Sequence, residues 1–260
     1  MRAGTRPGSS LHSFTLLGAV LASLAVPSGA HADETAGGWR QTVVIYGMGA
    51  AMSGTAQLGE VEVPVGLSAS DLFDLLEFGA MAAWRIENDT WSFTTDATSV
   101  GLGRTATTEG GLLRGEVDID QFTLMGTAGR RLTDNLEFLF GLAYLDLSSD
   151  VKVNSTSGDA VNLRISADAD WIDPTVGLRY SAPLGDAWRL NLRGDIGGFG
   201  IGSDFMWQAL ATAQWRFSDT AGVIFGYRAI GFDYEQGKDQ NYQHYDLIEQ
   251  GPVVGVTISF

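Results

Sequence analysis

From about residue 41 onward, apolar and polar side chains alternate along the chain in long stretches. Trp188, Leu190, Leu192 and Ile196 share one face, with Arg189, Asn191, Arg193 and Asp195 on the other. Trp207, Ala209, Ala211, Ala213, Trp215 and Phe217 repeat the pattern against Gln208, Thr212, Gln214 and Arg216. So do Ile172, Val176, Leu178 and Tyr180 against Trp171, Asp173, Thr175, Gly177 and Arg179. Val223, Phe225 and Tyr227 alternate with Gly222, Ile224, Gly226 and Arg228, and Val254, Val256, Ile258 and Phe260 with Gly255, Thr257 and Ser259. A period of two predicts β-strands with one apolar face. The fold class is therefore all-β.

Two architectures share this pattern. A soluble antiparallel sandwich turns the apolar face inward, whereas a membrane barrel turns it toward lipid and keeps its polar face in the lumen. Strands of about 9–16 residues suit a tilted bilayer crossing better than a soluble sheet. Aromatic residues stand at strand ends (Trp91, Tyr144, Tyr180, Trp188, Trp215, Phe217, Phe260), where an interfacial girdle belongs. Arg and Asp sit at mid-strand on the opposite face, which suits a confined polar interior. These features predict a single antiparallel transmembrane β-barrel of about ten strands, with eight as the main alternative.

Connections set its orientation. Tight turn sequences occur at 87–89, 132–135, 183–186 and 218–220, while the joints between them, at 54–77, 104–111, 148–160 and 235–243, are longer or more polar. Short turns alternating with long loops place the turns in the periplasm and the loops at the cell surface.

The first residues differ from the rest. Arg2 and Arg6 precede an apolar stretch at 14–26, and Ala30-His31-Ala32 closes it, the three parts of a secretory signal peptide. The expected organisation is a signal peptide over 1–32, cleaved after Ala32, and a barrel domain over 33–260 in the cell outer membrane. The chain has 260 residues, 34 Gly, no Cys and a formal charge of -15. Removing both Arg residues makes the processed chain more acidic and leaves His244 as its sole histidine. Such acidity excludes nucleic acid as a partner, and the absence of Cys excludes thiol chemistry and disulfides. No cofactor or metal is predicted.

The stretch Gly251-Pro252-Val253-Val254-Gly255-Val256-Thr257-Ile258-Ser259-Phe260 resembles the terminal assembly signal of outer-membrane barrels, with Val256, Ile258 and Phe260 as its apolar positions. The segments 193–200, 203–208, 171–180, 226–228 and 70–81 resemble a group of small bacterial outer-membrane barrels without assigned chemistry, in the company of opacity-type and porin-like proteins. The likeness spans 41–260. It implies a single-chain barrel, a monomer, whose partners are outer-membrane lipids, lipopolysaccharide, the barrel-assembly machinery and periplasmic chaperones. Leu142-Ala143-Tyr144 departs from the group, which more often carries Arg at the middle position.

Candidate chemistry lies chiefly in the lumen. Arg85, Asp96, Asp173, Arg179, Arg189, Arg193, Asp195, Arg216 and Arg228 form the predicted charge network, joined by Glu87, Arg131 and Glu137. Arg forks pair bidentately with carboxylates, so such a network reads either as an eyelet selecting anions or as a packing that fills a narrow barrel. Lumen-phased glycines (Gly141, Gly177, Gly197, Gly226, Gly255) would free space, or serve a curved wall.

Residues 68–78 read as a short amphipathic helix in the first surface loop, with Ser70 as cap and Asp71, Leu72, Phe73, Leu75 and Leu76 as a mouth or lid segment. The expected protein is non-enzymatic, a narrow porin-like channel or a structural barrel with a salt-bridged lumen. The alternatives are a lipid-modifying enzyme at the outer rim built on His244, with Asp246 and Glu249 near, or a surface-loop adhesin. The carboxylate pairs Asp118/Asp120, Asp168/Asp170 and Asp233/Glu235 can bridge divalent cations or stand solvated.

Overall fold

The computed structural model describes residues 38–107, 113–155, 162–239 and 242–260. The expected signal peptide lies outside the described residues. Twelve strands and one short helix follow in order: β1 (Arg40–Met48), β2 (Ala51–Leu58), β3 (Val61–Leu67), α1 (Ala69–Leu75), β4 (Leu76–Glu87), β5 (Trp91–Thr107), β6 (Leu113–Arg131), β7 (Leu136–Ser155), β8 (Asn162–Pro183), β9 (Trp188–Gly198), β10 (Phe205–Arg216), β11 (Ala221–Gln236) and β12 (Gln243–Ser259). β1 and β4 to β12 pair antiparallel in sequence and close where β1 meets β12, giving ten strands around. β2 and β3 are a further hairpin. β12 pairs with β1 through Val253–Ser259 and with β2 through Gln243–Gln250, so one long strand holds both.

The alternation has the sense expected of a membrane barrel. Ile45, Leu142, Ile172, Leu178, Ile196, Val254 and Val256 point outward and are exposed, whereas Asp173, Asp195 and Arg193 on the intervening phase are buried. Outward aromatics cluster at the rim of tight turns, where Trp188, Trp215 and Phe225 are in ring contact and Trp91 meets Phe140. An apolar exterior of this kind is stable only against lipid.

Two expectations are corrected. The stretch 54–77 is not one loop: Val61–Leu67 folds back on Ala51–Leu58 as a hairpin before α1 begins. Strand lengths also run past the expected range, to 20 residues in β7 and 22 in β8, because both continue above the apolar belt. Their outward faces change there from Leu142 and Ile172 to Asp146, Asp150, Ser166 and Asp168. A strand leaving lipid for water has no reason to keep its apolar phase. Residues 108–112 and 156–161 lie outside the described residues.

The lumen glycines serve the curved wall. A Cβ at Gly226 would collide with the carbonyl of Ala211, at Gly141 with that of Gly126, and at Gly177 with that of Gly194, each on the neighbouring strand. They mark close backbone approach between neighbouring strands.

Candidate functional site: stacked lumen ion pairs and the cavity above them

Ion pairs occupy the lumen nearest the turn rim. Glu137, at the start of β7, is 7% exposed and is the hub: Arg85 Nη2 lies 2.7 Å from its Oε1, Arg131 Nη2 3.8 Å from the same oxygen, and Arg179 Nη1 3.7 Å from Oε2. Ser92 donates to it as well. Glu87 shares Arg85 (2.8 Å) and Arg131 (3.3 Å). Five strands contribute side chains here because β4, β5, β6, β7 and β8 all present their lumen phase at the same height.

Above this layer a single hydrogen-bonded rung crosses the barrel. Arg193 is bidentate on Asp195, with Nε to Oδ2 at 2.6 Å and Nη2 to Oδ1 at 3.1 Å. Gln208 donates to Asp195 (3.0 Å) and accepts from Arg228 Nε (2.9 Å). Arg228 Nη1 donates to the Tyr46 hydroxyl (2.8 Å) and lies 3.3 Å from Asp96, to which Tyr46 also donates. The rung thus runs from β9 through β10 and β11 to β1 and β5. Gln208 bridges because an amide carries a donor and an acceptor on one group.

Of the predicted network, Arg85, Asp96, Arg179, Arg193, Asp195 and Arg228 are brought into these two layers. Asp173 is not. It is fully buried and pairs with no Arg; its carboxylate accepts from Trp171 Nε1 (3.0 Å) and twice from Ser203. Arg189 and Arg216 have the lumen phase at the turn rim without a carboxylate partner among the described residues, and Arg216 donates to the carbonyl of Asp186 (3.0 Å). Sequence reasoning missed Gln208 and Tyr46 as network members. Both lie in the lumen phase, which was the available signal.

Above the rung the interior turns apolar. Met125, Leu145, Trp171, Met206, Ile230, Phe232, Tyr234 and Leu247 form a buried cluster in which Trp171 stacks on Tyr234, centroids 4.0 Å apart. Beside this cluster, toward β1, β4 and β5, lies a cavity of about 330 Å³. Leu72, Phe73 and Leu76 of the predicted lid segment line it; Leu75 does not. The helix cap is Ser68 and not Ser70: Ser68 Oγ accepts from the backbone of Asp71, whose carboxylate accepts in return from the Ser68 N–H.

His244 stands on the outward face of β12, 2.8 Å from Asp233, and Glu249 faces the lumen, so the two are not assembled together. Outside the membrane-crossing part, Asp150 binds Ser166 (2.6 Å) and Arg164 (3.0 Å), and these bonds hold its carboxyl below the ordinary aspartate range. Val256, Ile258 and Phe260 face outward on β12, and Phe260 exchanges backbone hydrogen bonds with Gln41 across the closing seam.

No family model matches the chain, and no curated protein matches it by sequence. Solved structures do. The outer membrane protease OmpT from Escherichia coli superimposes with a TM-score of 0.57 at 8% identity, over 85% of this chain and 97% of that one. The chain has the fold of an outer-membrane β-barrel. That likeness establishes the fold and none of the protease's chemistry. The translocator domain of autotransporter NalP from Neisseria meningitidis overlaps at TM-score 0.42 and 15% identity, over 97% of both chains. Ail of Yersinia pestis overlaps at 0.37 and 9%, over 86% of this chain and 99% of that one.

Proposed function

We propose that this protein is a non-enzymatic, monomeric barrel of the bacterial outer membrane whose lumen is sealed, its charge network acting as a plug and not as an eyelet. The tight turns then face the periplasm and the long extensions the cell surface, among lipopolysaccharide. Targeting by a cleaved signal, handling by periplasmic chaperones and insertion by the barrel-assembly machinery through the Phe260 end belong to the same reading.

The observation that carries the proposal is the rung from Arg193 to Tyr46. Arg228 is 7% exposed, Gln208 4% and Asp195 3%, a degree of burial that supports a closed lumen at this height. An eyelet needs charged groups facing open water; here each is committed to a neighbour. The apolar cluster above the rung is a second barrier, since ions do not cross a dry constriction.

Purified protein in planar bilayers tests this. The wild type is expected to give no discrete conductance, and the double substitution Arg193→Ala, Arg228→Ala to give resolvable steps by removing the rung. Discrete steps from the wild type would overturn the sealed lumen.

A further inference from the structure

The cavity beside the apolar cluster is not confined to the lumen. β1 pairs with β4 only as far as Tyr46 opposite Met81. Beyond that point β1 gives way to β2, which pairs with β12 and β3, while β4 continues against β5 alone. A seam therefore opens in the wall between β1–β2 and β4, and α1 packs over it against β2, β3 and β5. The cavity lining includes Val254 and Gly47, whose phase is outward; Val254 is 66% exposed on the lipid-facing side. The cavity thus reaches from the lumen through the seam to the outer surface.

We propose that this cavity binds an uncharged aliphatic chain, which enters sideways from the outer leaflet through the seam above the Tyr46–Met81 pair. Three observations carry this. The walls are largely aliphatic, with Met48, Met52, Met81, Leu102, Ile119 and Ile230 among the lining residues. Unbranched thioether side chains adapt to a flexible guest, and about 330 Å³ lies at the lower end of small-molecule sites.

Charge comes next. Among the described lining residues, the ionisable groups besides Tyr46 are Arg228 and Glu249. Arg228 is already committed to Asp96, Tyr46 and Gln208, and one Glu249 carboxylate oxygen is buried without a partner. An anionic headgroup would find no free cation among the described lining residues, so a carboxylate is disfavoured against an alcohol or hydrocarbon.

Height is the third. Seven residues of β1, Arg40 to Tyr46, lie below the seam, fewer than the roughly 9–11 that a tilted strand needs to cross the hydrocarbon. The seam therefore opens within the outer part of the apolar belt. There Leu72 of α1 is buried and Phe73, beside it, is 73% exposed, as a residue in contact with acyl chains would be.

Retention of radiolabelled 1-decanol by the full-length barrel in detergent tests the site. Met81→Trp fills the cavity and is expected to weaken binding roughly tenfold or more, about 1.4 kcal/mol; Thr98→Trp, at the position paired with Met81 on β5, serves if that variant fails to show heat-modifiable migration. Unchanged binding in a folded variant overturns the site. Decanoate, at a pH where it is ionised, is expected to bind roughly tenfold less tightly; equal binding overturns the uncharged specificity.

The route has its own variant. A Cβ at Gly47 meets nothing within 4 Å, so Gly47→Trp obstructs the seam from the lipid side without disturbing the lumen. In proteoliposomes it is expected to slow exchange of bound decanol into acceptor vesicles roughly tenfold, with equilibrium binding retained; an unchanged rate overturns lateral entry. Native mass spectrometry then separates the sources. A lipid that leaves with Met81→Trp supports a membrane acyl chain as the natural guest, and decanol binding without one supports a free aliphatic molecule.

Discussion

Asp173 and Ser203 meet inside the barrel with the Asp173 carboxylate accepting both the backbone N–H (2.7 Å) and the hydroxyl (2.8 Å) of Ser203. Pairing between β8 and β9 ends at Thr175, and the β9–β10 turn would stand free of β8 beyond it. Asp173 replaces the missing ladder with side-chain bonds. Gly202 lets the turn come close enough, since a Cβ there would collide with the carbonyl of Ile172. Asp173→Ala orphans three buried donors, those of Trp171 and Ser203, and is expected to cost on the order of 3 kcal/mol. Denaturant unfolding in micelles measures it, and a loss below about 1 kcal/mol would contradict the assigned role.

Glu137 holds three arginines, and its removal leaves like charges facing one another in a confined space. Glu137→Gln preserves volume and is expected to destabilise by about 3–5 kcal/mol, the usual result of breaking a buried pair from one side. Arg40, whose side chain is 67% exposed, reaches Glu87 at 3.5 Å. Arg40→Ala should cost under about 1 kcal/mol, since solvent screens such pairs. The same unfolding curves compare the two, and similar losses would refute the hub.

Gly226 lies against the carbonyl of Ala211 with no room for a methyl group. Gly226→Ala forces β10 and β11 apart and is expected to lower stability by about 1–3 kcal/mol, visible as a lower temperature of heat-modified migration. Gly66→Ala meets nothing within 4 Å and should stay within about 0.5 kcal/mol of wild type. A neutral Gly226→Ala would remove close approach as the reason for that glycine.

The barrel phase was legible because lipid imposes a strict rule on every crossing residue, so Trp207 to Trp215 and Ile172 to Tyr180 declared their faces unaided. Above the belt the rule lapses. Ser148, Asp150, Ser166 and Asp168 look like loop because water, not lipid, faces them. The β2–β3 hairpin was hidden by Gly54, Gly59 and Pro64, and Gly54 takes φ +140, a conformation that L side chains rarely adopt. Lumen phase was readable for Arg193 and Arg228, but the partner of each is set by strand stagger. That is why Gln208 and Tyr46 were overlooked, and why Asp173 was assigned to arginines it never meets.

β12 serves both early strands, with Thr42 opposite Ser259 and Leu58 opposite Gln243. The amino-terminal fifth of the wall is therefore held by contacts some two hundred residues away in sequence. Ring closure waits for β12, and contacts this remote form slowly. Without β12 in place, β1 and β11 would both present unmatched edges, so one strand decides whether the wall is whole.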